Sequence, residues 1–298
     1  MGLRGTSRSA RFRVTTTAHR GREIAGKLCG MTADRRTGLI RSRIARCALA
    51  AALAALLLVG CGGGSGSSQS SGTKPAPSSS SIPAPTSTTL PPGVSVIAQV
   101  SAPLAGVFDD PSSPQPKMTF GPTWNLDDDP SKPTVPEVFL VEEQRPDWVK
   151  VLLPTRPNGS TGWIHAGDVQ VSQDPYHIQV DVAAHRITVF NATQAIYQGP
   201  VAVGAPATPT PPGLYYTRVL LQTPDPGSVY GPFAYGLSAH SDALTTFEGG
   251  DAEIGIHGNN DASALGRSVS HGCVRMDNAA ITMLTKVLPL GTPVQINA

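Results

Sequence analysis

Cysteine is scarce. The 298 residues hold four, Cys29, Cys47, Cys61 and Cys273, and only Cys61 and Cys273 survive a cleavage just before Cys61. A disulfide framework is therefore excluded. Charged residues make up 15% of the chain and aromatics 5%, while glycine (31) and proline (28) are abundant. Interruptions that frequent exclude a bundle of long helices and point to a loop-rich, mainly β, exported protein. The apolar run Ala48 to Val59 falls well short of the about 20 residues that a membrane-spanning helix takes. A large surplus of one charge is missing too, but the net +2 conceals an asymmetry. Residues 1–60 carry twelve of the 23 lysines and arginines and two of the 21 acidic residues. The remainder is acidic by about eight charges, which argues against nucleic acid as a partner. The length fits two domains of roughly 100–200 residues each.

What is present falls into four stretches. Residues 1–60 form a basic leader in which Met31 is a possible true start, since Arg35, Arg36, Arg41, Arg43 and Arg46 then precede the apolar run. A positive flank followed by a short apolar core describes a secretory signal. Leu58-Val59-Gly60-Cys61 resembles a lipobox, which implies that Cys61 becomes the lipidated first residue of the mature protein. The other reading is an ordinary signal peptide with a chance cysteine. Residues 61–93 are rich in Gly, Ser, Pro and Thr and cannot build a core. They read as a disordered tether with a root-mean-square reach on the order of 30 Å, or ~100 Å when stretched.

Residues 94–173 alternate short strands with turns. Val94 to Val100, Val138 to Val141 and Trp148 to Leu153 read as strands, and Asn158-Gly159 as a hairpin turn. The pattern Trp148-Val149-Lys150-Val151 followed by Gly162-Trp163-Ile164 resembles a bacterial SH3-like barrel, with Trp148 and Trp163 in its core. His165 has no evident partner. The acidic run Asp127-Asp128-Asp129 lacks the glycine and glutamate spacing of a calcium loop and reads as solvated.

In residues 174–298 the alternation becomes continuous. Strands are expected over His177 to Val182, Arg186 to Phe190, Ala195 to Val203 and Leu214 to Leu221, as a meander with one apolar face. His177 and His185 are expected to be structural. Pro224 to Gly250 lacks periodicity and reads as a long binding loop in which Phe233 and Tyr235 are candidate substrate contacts. Glu253 to His257 reads as a strand. Asp277 is an N-cap for a helix carrying Ile281, Leu284, Val287 and Leu288 and ended by Pro289 and Gly291. Pro293 to Ile296 closes the sheet.

Chemistry concentrates between Ile256 and Met276. This stretch holds His257-Gly258 and then Ser270-His271-Gly272-Cys273-Val274-Arg275. A free thiol titrates near ~8.5, and the thiolate is the attacking species. A neighbouring imidazole can take the proton, and backbone N–H groups beside a glycine can hold an oxyanion. The two-part pattern, His-Gly and then Ser-His-Gly-Cys-hydrophobic-Arg, resembles the signature of the L,D-transpeptidases (the YkuD-type domain). The resemblance covers about Tyr176 to Ala298 and includes Pro211-Pro212-Gly213-Leu214-Tyr215.

The resemblance implies a β-sandwich-like catalytic domain with one C-terminal helix. It implies Cys273 as nucleophile and His257 as base in a thiolate–imidazolium pair, with the Gly258 carbonyl orienting the base. Gly272 and Cys273 are the oxyanion donors in this reading, and Ser270 and His271 shape the loop. Arg275 either binds a stem-peptide carboxylate or braces the loop. The implied reaction is acyl transfer on peptidoglycan stem peptides. A thioester forms with loss of a D-amino acid and is resolved by an amine of a second stem. The resemblance also implies acylation by carbapenems and no cofactor.

The implied location is the outer face of the cell membrane, anchored by lipid on Cys61 and working in the wall. Three alternatives remain open. The thioester goes to water, making an L,D-carboxypeptidase; the protein is a non-catalytic wall-binding lipoprotein; or His240, His257, His271 and Cys273 hold zinc, against which stands the absence of a familiar ligand spacing.

Overall fold

Alternating residues become strands where one face can be buried, and two antiparallel-rich sheets hold most of the strand residues among the described residues. The computed structural model describes residues 12–14, 24–26, 90–126, 129–247 and 249–298. The apolar leader segment, Cys61, most of the tether, and Asp127 and Asp128 lie outside the described residues.

The first sheet has seven strands, in the spatial order Val169–Asp174, Ser95–Val100, Val138–Gln144, Trp148–Leu152, Thr161–His165, Ala105–Phe108 and Met118–Phe120. Val96, Ala98 and Val100 alternate inward, as do Val149 and Val151; Ala98, Val100, Val149 and Val151 meet Phe139, Leu140 and Ile164 in one core. Asn158-Gly159 does not make a two-residue turn. It sits in a longer connection, Leu153 to Ser160, closed by a bond from Leu153 N–H to the Ser160 carbonyl (2.8 Å). Trp163 is buried beneath the guanidinium of Arg145. Trp148 is half-buried, and His165 finds its partner there, ring on ring at 3.8 Å.

The second sheet runs Gln194–Pro200, Arg186–Asn191, Tyr176–Asp181, Pro293–Asn297, Gly213–Gln222, Phe233–His240, Glu253–His257 and Val274–Arg275. The expected meander holds for its first three strands only. The C-terminal strand inserts next, parallel to Tyr176–Asp181 and antiparallel to Gly213–Gln222. The third strand stops at Pro200, and Val203–Gly204 instead pairs in parallel with Ser268–Ser270. Phe12–Val14 pairs with the Leu221–Gln222 end of its neighbour and with Ile24–Gly26.

The segment expected as a loop, Pro224 to Gly250, contains the strand Phe233–His240. From Ala234 to His240 every residue is buried, so no two-residue alternation marks it. The one α-helix among the described residues is Asn278–Leu284. It is capped by Asp277, whose side chain accepts from Ala279 N–H (2.9 Å) and Ala280 N–H (3.0 Å). It ends five residues before Pro289, in tighter turns from Lys286 to Met283 and Val287 to Leu284.

The sheets share a buried ionic contact. Arg218 lies 3.1 Å from Glu253 and 3.7 Å from Glu137, over the ring of Trp124. Burial pushes the Glu137 carboxyl up to about 7 despite the guanidinium. A carboxyl raised in the folded state supports folding below its ordinary value near 4.5 and loses that support as pH rises through about 7. Arg218→Ala leaves Glu137 facing burial alone. Its expected cost is about 3–5 kcal/mol at pH 8 and clearly less at pH 5, where Glu137 takes up a proton. Denaturant unfolding at the two pH values checks this; equal losses would contradict it.

Candidate active site

The strand Glu253–His257 carries His257 into the protein, and the Val274–Arg275 strand lies beside it in parallel. Ile256 pairs with Val274, and His257 with Arg275. One step back in that register, Cys273 falls opposite Gly255, whose N–H points at Sγ from 3.4 Å. Side chains alternate with a period of two, so His257 and Cys273 lie on the same side of these strands. Cys273 is half-buried.

His257 is 3% exposed. Its Nδ1 lies 2.7 Å from the Gly258 carbonyl oxygen. A carbonyl can only accept, so Nδ1 carries the hydrogen and Nε2 keeps its lone pair. Burial lowers the imidazole to about 4; the Gly258 bond works against that and the Arg275 charge adds to it. The ring is therefore neutral at physiological pH. The Tyr230 ring leans on the imidazole at 5.0 Å.

A profile of the L,D-transpeptidase catalytic domain (YkuD) matches residues 175–296. The putative L,D-transpeptidase YqjB of Bacillus subtilis is 30% identical over 143 residues, covering 44% of this chain and 75% of that protein. The chain belongs to the L,D-transpeptidase family. Another B. subtilis relative, the putative L,D-transpeptidase YkuD, is 33% identical over 123 residues, 41% of this chain and 66% of that protein. The Bd1075 structure from Bdellovibrio bacteriovorus is 28% identical and covers 42% of this chain and 48% of that one, with a TM-score of 0.34. The chain thus spans slightly less than two thirds of the first relative and about half of that solved chain.

Around the L,D-transpeptidase motif, hydroxyls fix the backbone. Ser270 Oγ donates to the Cys273 carbonyl (2.6 Å) and accepts from Gly272 N–H (3.1 Å). The Gly272 N–H is thus engaged by Ser270, which corrects its expected role as an oxyanion donor. Thr210 Oγ1 donates to the Gly272 carbonyl (2.8 Å) and accepts from Gly204 N–H (2.8 Å), and Thr208 Oγ1 donates to the Ser270 carbonyl (3.2 Å). Gly272 has φ +121°, and a Cβ there would press on Ile254 Cδ1 at 2.8 Å, so the turn before the thiol requires glycine. Sequence reasoning missed Thr208 and Thr210. The available signal was the threonine directly before Pro211-Pro212-Gly213.

The remaining site candidates scatter. His271 is exposed, with the Phe247 ring 4.9 Å away. Arg275 is half-buried beside His257 and influences its charge. Tyr235 is a correction: it is 1% exposed, lies in the core and reaches the Leu284 and Leu288 carbonyls (3.4 and 3.3 Å). Phe233 is partly buried against the same core. The aromatics that do meet the motif are Tyr230, against His257, and Phe247, against His271. His185 Nε2 lies 2.9 Å from Ser268 Oγ, on the strand leading to the motif. Of the residues weighed as zinc ligands, His240 faces Asp251 (3.0 Å) and His257 faces the Gly258 carbonyl. Among the described residues, no group of three or more His, Cys, Asp or Glu has the geometry to hold a metal ion.

Proposed function

We propose that the protein is a peptidoglycan L,D-transpeptidase with Cys273 as nucleophile and His257 as base. The observation that carries the reading is the parallel register that sets Cys273 opposite Gly255, two residues from a buried, neutral His257. In this mechanism Sγ attacks the carbonyl of an L-centre in a stem peptide while Nε2 of His257 takes the thiol proton. The resulting oxyanion is met by the backbone N–H of Cys273. The C–N bond then breaks, the D-amino acid leaves with the proton returned by His257, and a thioester remains. An amine of a second stem attacks the thioester, gives its proton to His257 and releases the cysteine sulfur, which regains that proton. Because the imidazole is neutral at rest, its proton is gained and lost within each step.

The proposal extends to placement. Residues 1–60 are a cleaved leader, Cys61 carries the lipid, residues 61–93 are the tether, and residues 94–173 are an SH3-like module ahead of the catalytic domain at 174–298. The enzyme then works in the wall from the outer membrane face. Membrane partitioning that is lost in Cys61→Ser supports this, and partitioning that persists opposes it.

Incubation of stem tetrapeptide with and without a second stem bearing a free amine tests the reaction. Cross-linked dimer with the acceptor supports transpeptidation. Tripeptide alone in both reactions would identify an L,D-carboxypeptidase instead, and unchanged tetrapeptide would refute both.

A further inference from the structure

The connection Leu153 to Ser160 of the first sheet reaches over to the second. There it meets the segment that begins after Phe233–His240 and ends before Glu253–His257. Arg156 is the centre of this contact. Its Nη1 donates to the Ser241 carbonyl (2.7 Å), and its Nη2 donates to the carbonyls of Leu244 (3.1 Å) and Asp251 (2.9 Å). Its Nε lies 3.7 Å from Asp251 Oδ1. One guanidinium therefore joins the outgoing and returning limbs of the same segment.

Asn158 adds a second fastening. Its Nδ2 donates to the His240 carbonyl (2.7 Å) and to Asp242 Oδ1 (3.0 Å), and its Oδ1 accepts from His240 N–H (2.9 Å). The side-chain amide satisfies both backbone groups of His240 as a neighbouring strand would. His240 in turn closes on Asp251 through Nε2 (3.0 Å).

The fastened segment is connected to the site. Phe247 lies on it and sets its ring 4.9 Å from that of His271, two residues before Cys273. A rigid fork with several N–H donors in one plane suits three converging carbonyls, which a lysine ammonium cannot match in direction.

We infer that Arg156 is a positioning residue for acyl transfer: acting from the first sheet, it holds the Ser241–Asp251 limbs so that Phe247 stays against His271 beside Cys273. The inference rests on Cys273 being the acylated residue. It gives the first sheet a part in the reaction other than wall binding. Substrate contact occurs through the held segment, and the thiol–imidazole geometry is set separately by the hydroxyls of Ser270, Thr208 and Thr210.

The test compares full-length wild type with Arg156→Ala, Arg156→Lys and, as a surface control, Arg145→Ala. Acylation of Cys273 by stem tetrapeptide is expected to fall about tenfold to a hundredfold in Arg156→Ala. Alkylation by iodoacetamide, which is too small to need the segment, should stay within about twofold. Arg156→Lys should recover part of the loss, and Arg145→Ala should match wild type. Equal losses with both reagents, or none with the tetrapeptide, would overturn the inference.

Amide exchange across residues 241–251 and 268–273 is measured on the same proteins. Faster exchange in both stretches in Arg156→Ala is required. Unchanged exchange refutes the positioning role whatever the acylation result. If wild type itself takes no acyl group from the tetrapeptide, the reaction assigned to Cys273 fails, and exchange alone decides whether Arg156 fastens the segment.

Discussion

Cys273→Ala is expected to gain no mass from a stem tetrapeptide or a carbapenem, while wild type gains one acyl group in intact-mass spectrometry. Cys273 is half-buried and its sulfur is held by Gly255 N–H at 3.4 Å. Its loop is bonded through backbone and hydroxyl groups that the substitution does not touch, chiefly Ser270 to the Cys273 carbonyl and Thr210 to the Gly272 carbonyl. The variant should therefore fold with a stability change of about 1 kcal/mol or less, and the loss is chemical: without sulfur there is no thioester, and no neighbouring group substitutes for it. An adduct of equal mass on Cys273→Ala would place the acyl group on another residue and refute the assignment.

The second large effect is expected at His257. Removing a general base usually costs 10²–10⁴-fold, and His257→Ala should fall in that range for acylation by tetrapeptide. Two features single out this imidazole. Nδ1 is committed to the Gly258 carbonyl at 2.7 Å, so the lone pair is on Nε2. The ring is also buried under Tyr230 and near Arg275, which keeps it neutral down to about pH 4. His271→Ala, by contrast, alters an exposed ring that touches Phe247 and should leave the proton transfer intact. Similar losses at both histidines in alkylation by iodoacetamide, which does not need the Phe247 segment, would argue that neither acts as a specific base.

Much of this was legible in the sequence because the signals were local. Strict alternation at Ile178, Val180, Ile187 and Val189 marked strands with one buried face, and all four are buried. Asp277 announced the helix start because capping needs only the next three residues. The His-Gly and Ser-His-Gly-Cys pair marked the family over residues 175–296.

Long-range choices were hidden. Nothing in Pro293 to Asn297 says that it enters between Tyr176–Asp181 and Gly213–Gln222, since strand order is decided by partners far away in the chain. The strand Phe233–His240 looks like a loop in the sequence because burial on both faces removes its period. Tyr235, on that stretch, consequently looks available to substrate in the sequence although it belongs to the core. Thr208, Thr210 and Arg156 act through carbonyls roughly sixty to a hundred residues away, contacts that no spacing rule encodes. The charge state of His257 was also invisible, because burial, the largest influence on it, is a property of the fold.

The pH profile of Cys273 acylation, run on wild type and His257→Ala, tests the central claim most directly. His257 accepts a proton only when neutral, and its folded value is lowered from 6.5 to about 4. The wild-type rate should therefore persist through the range where an ordinary histidine protonates and fall only as pH drops through about 4. His257→Ala should be slow throughout and lack that limb. A wild-type limb near 6.5, or a His257→Ala profile that overlays wild type, would contradict the claim that this buried neutral imidazole takes the cysteine's proton.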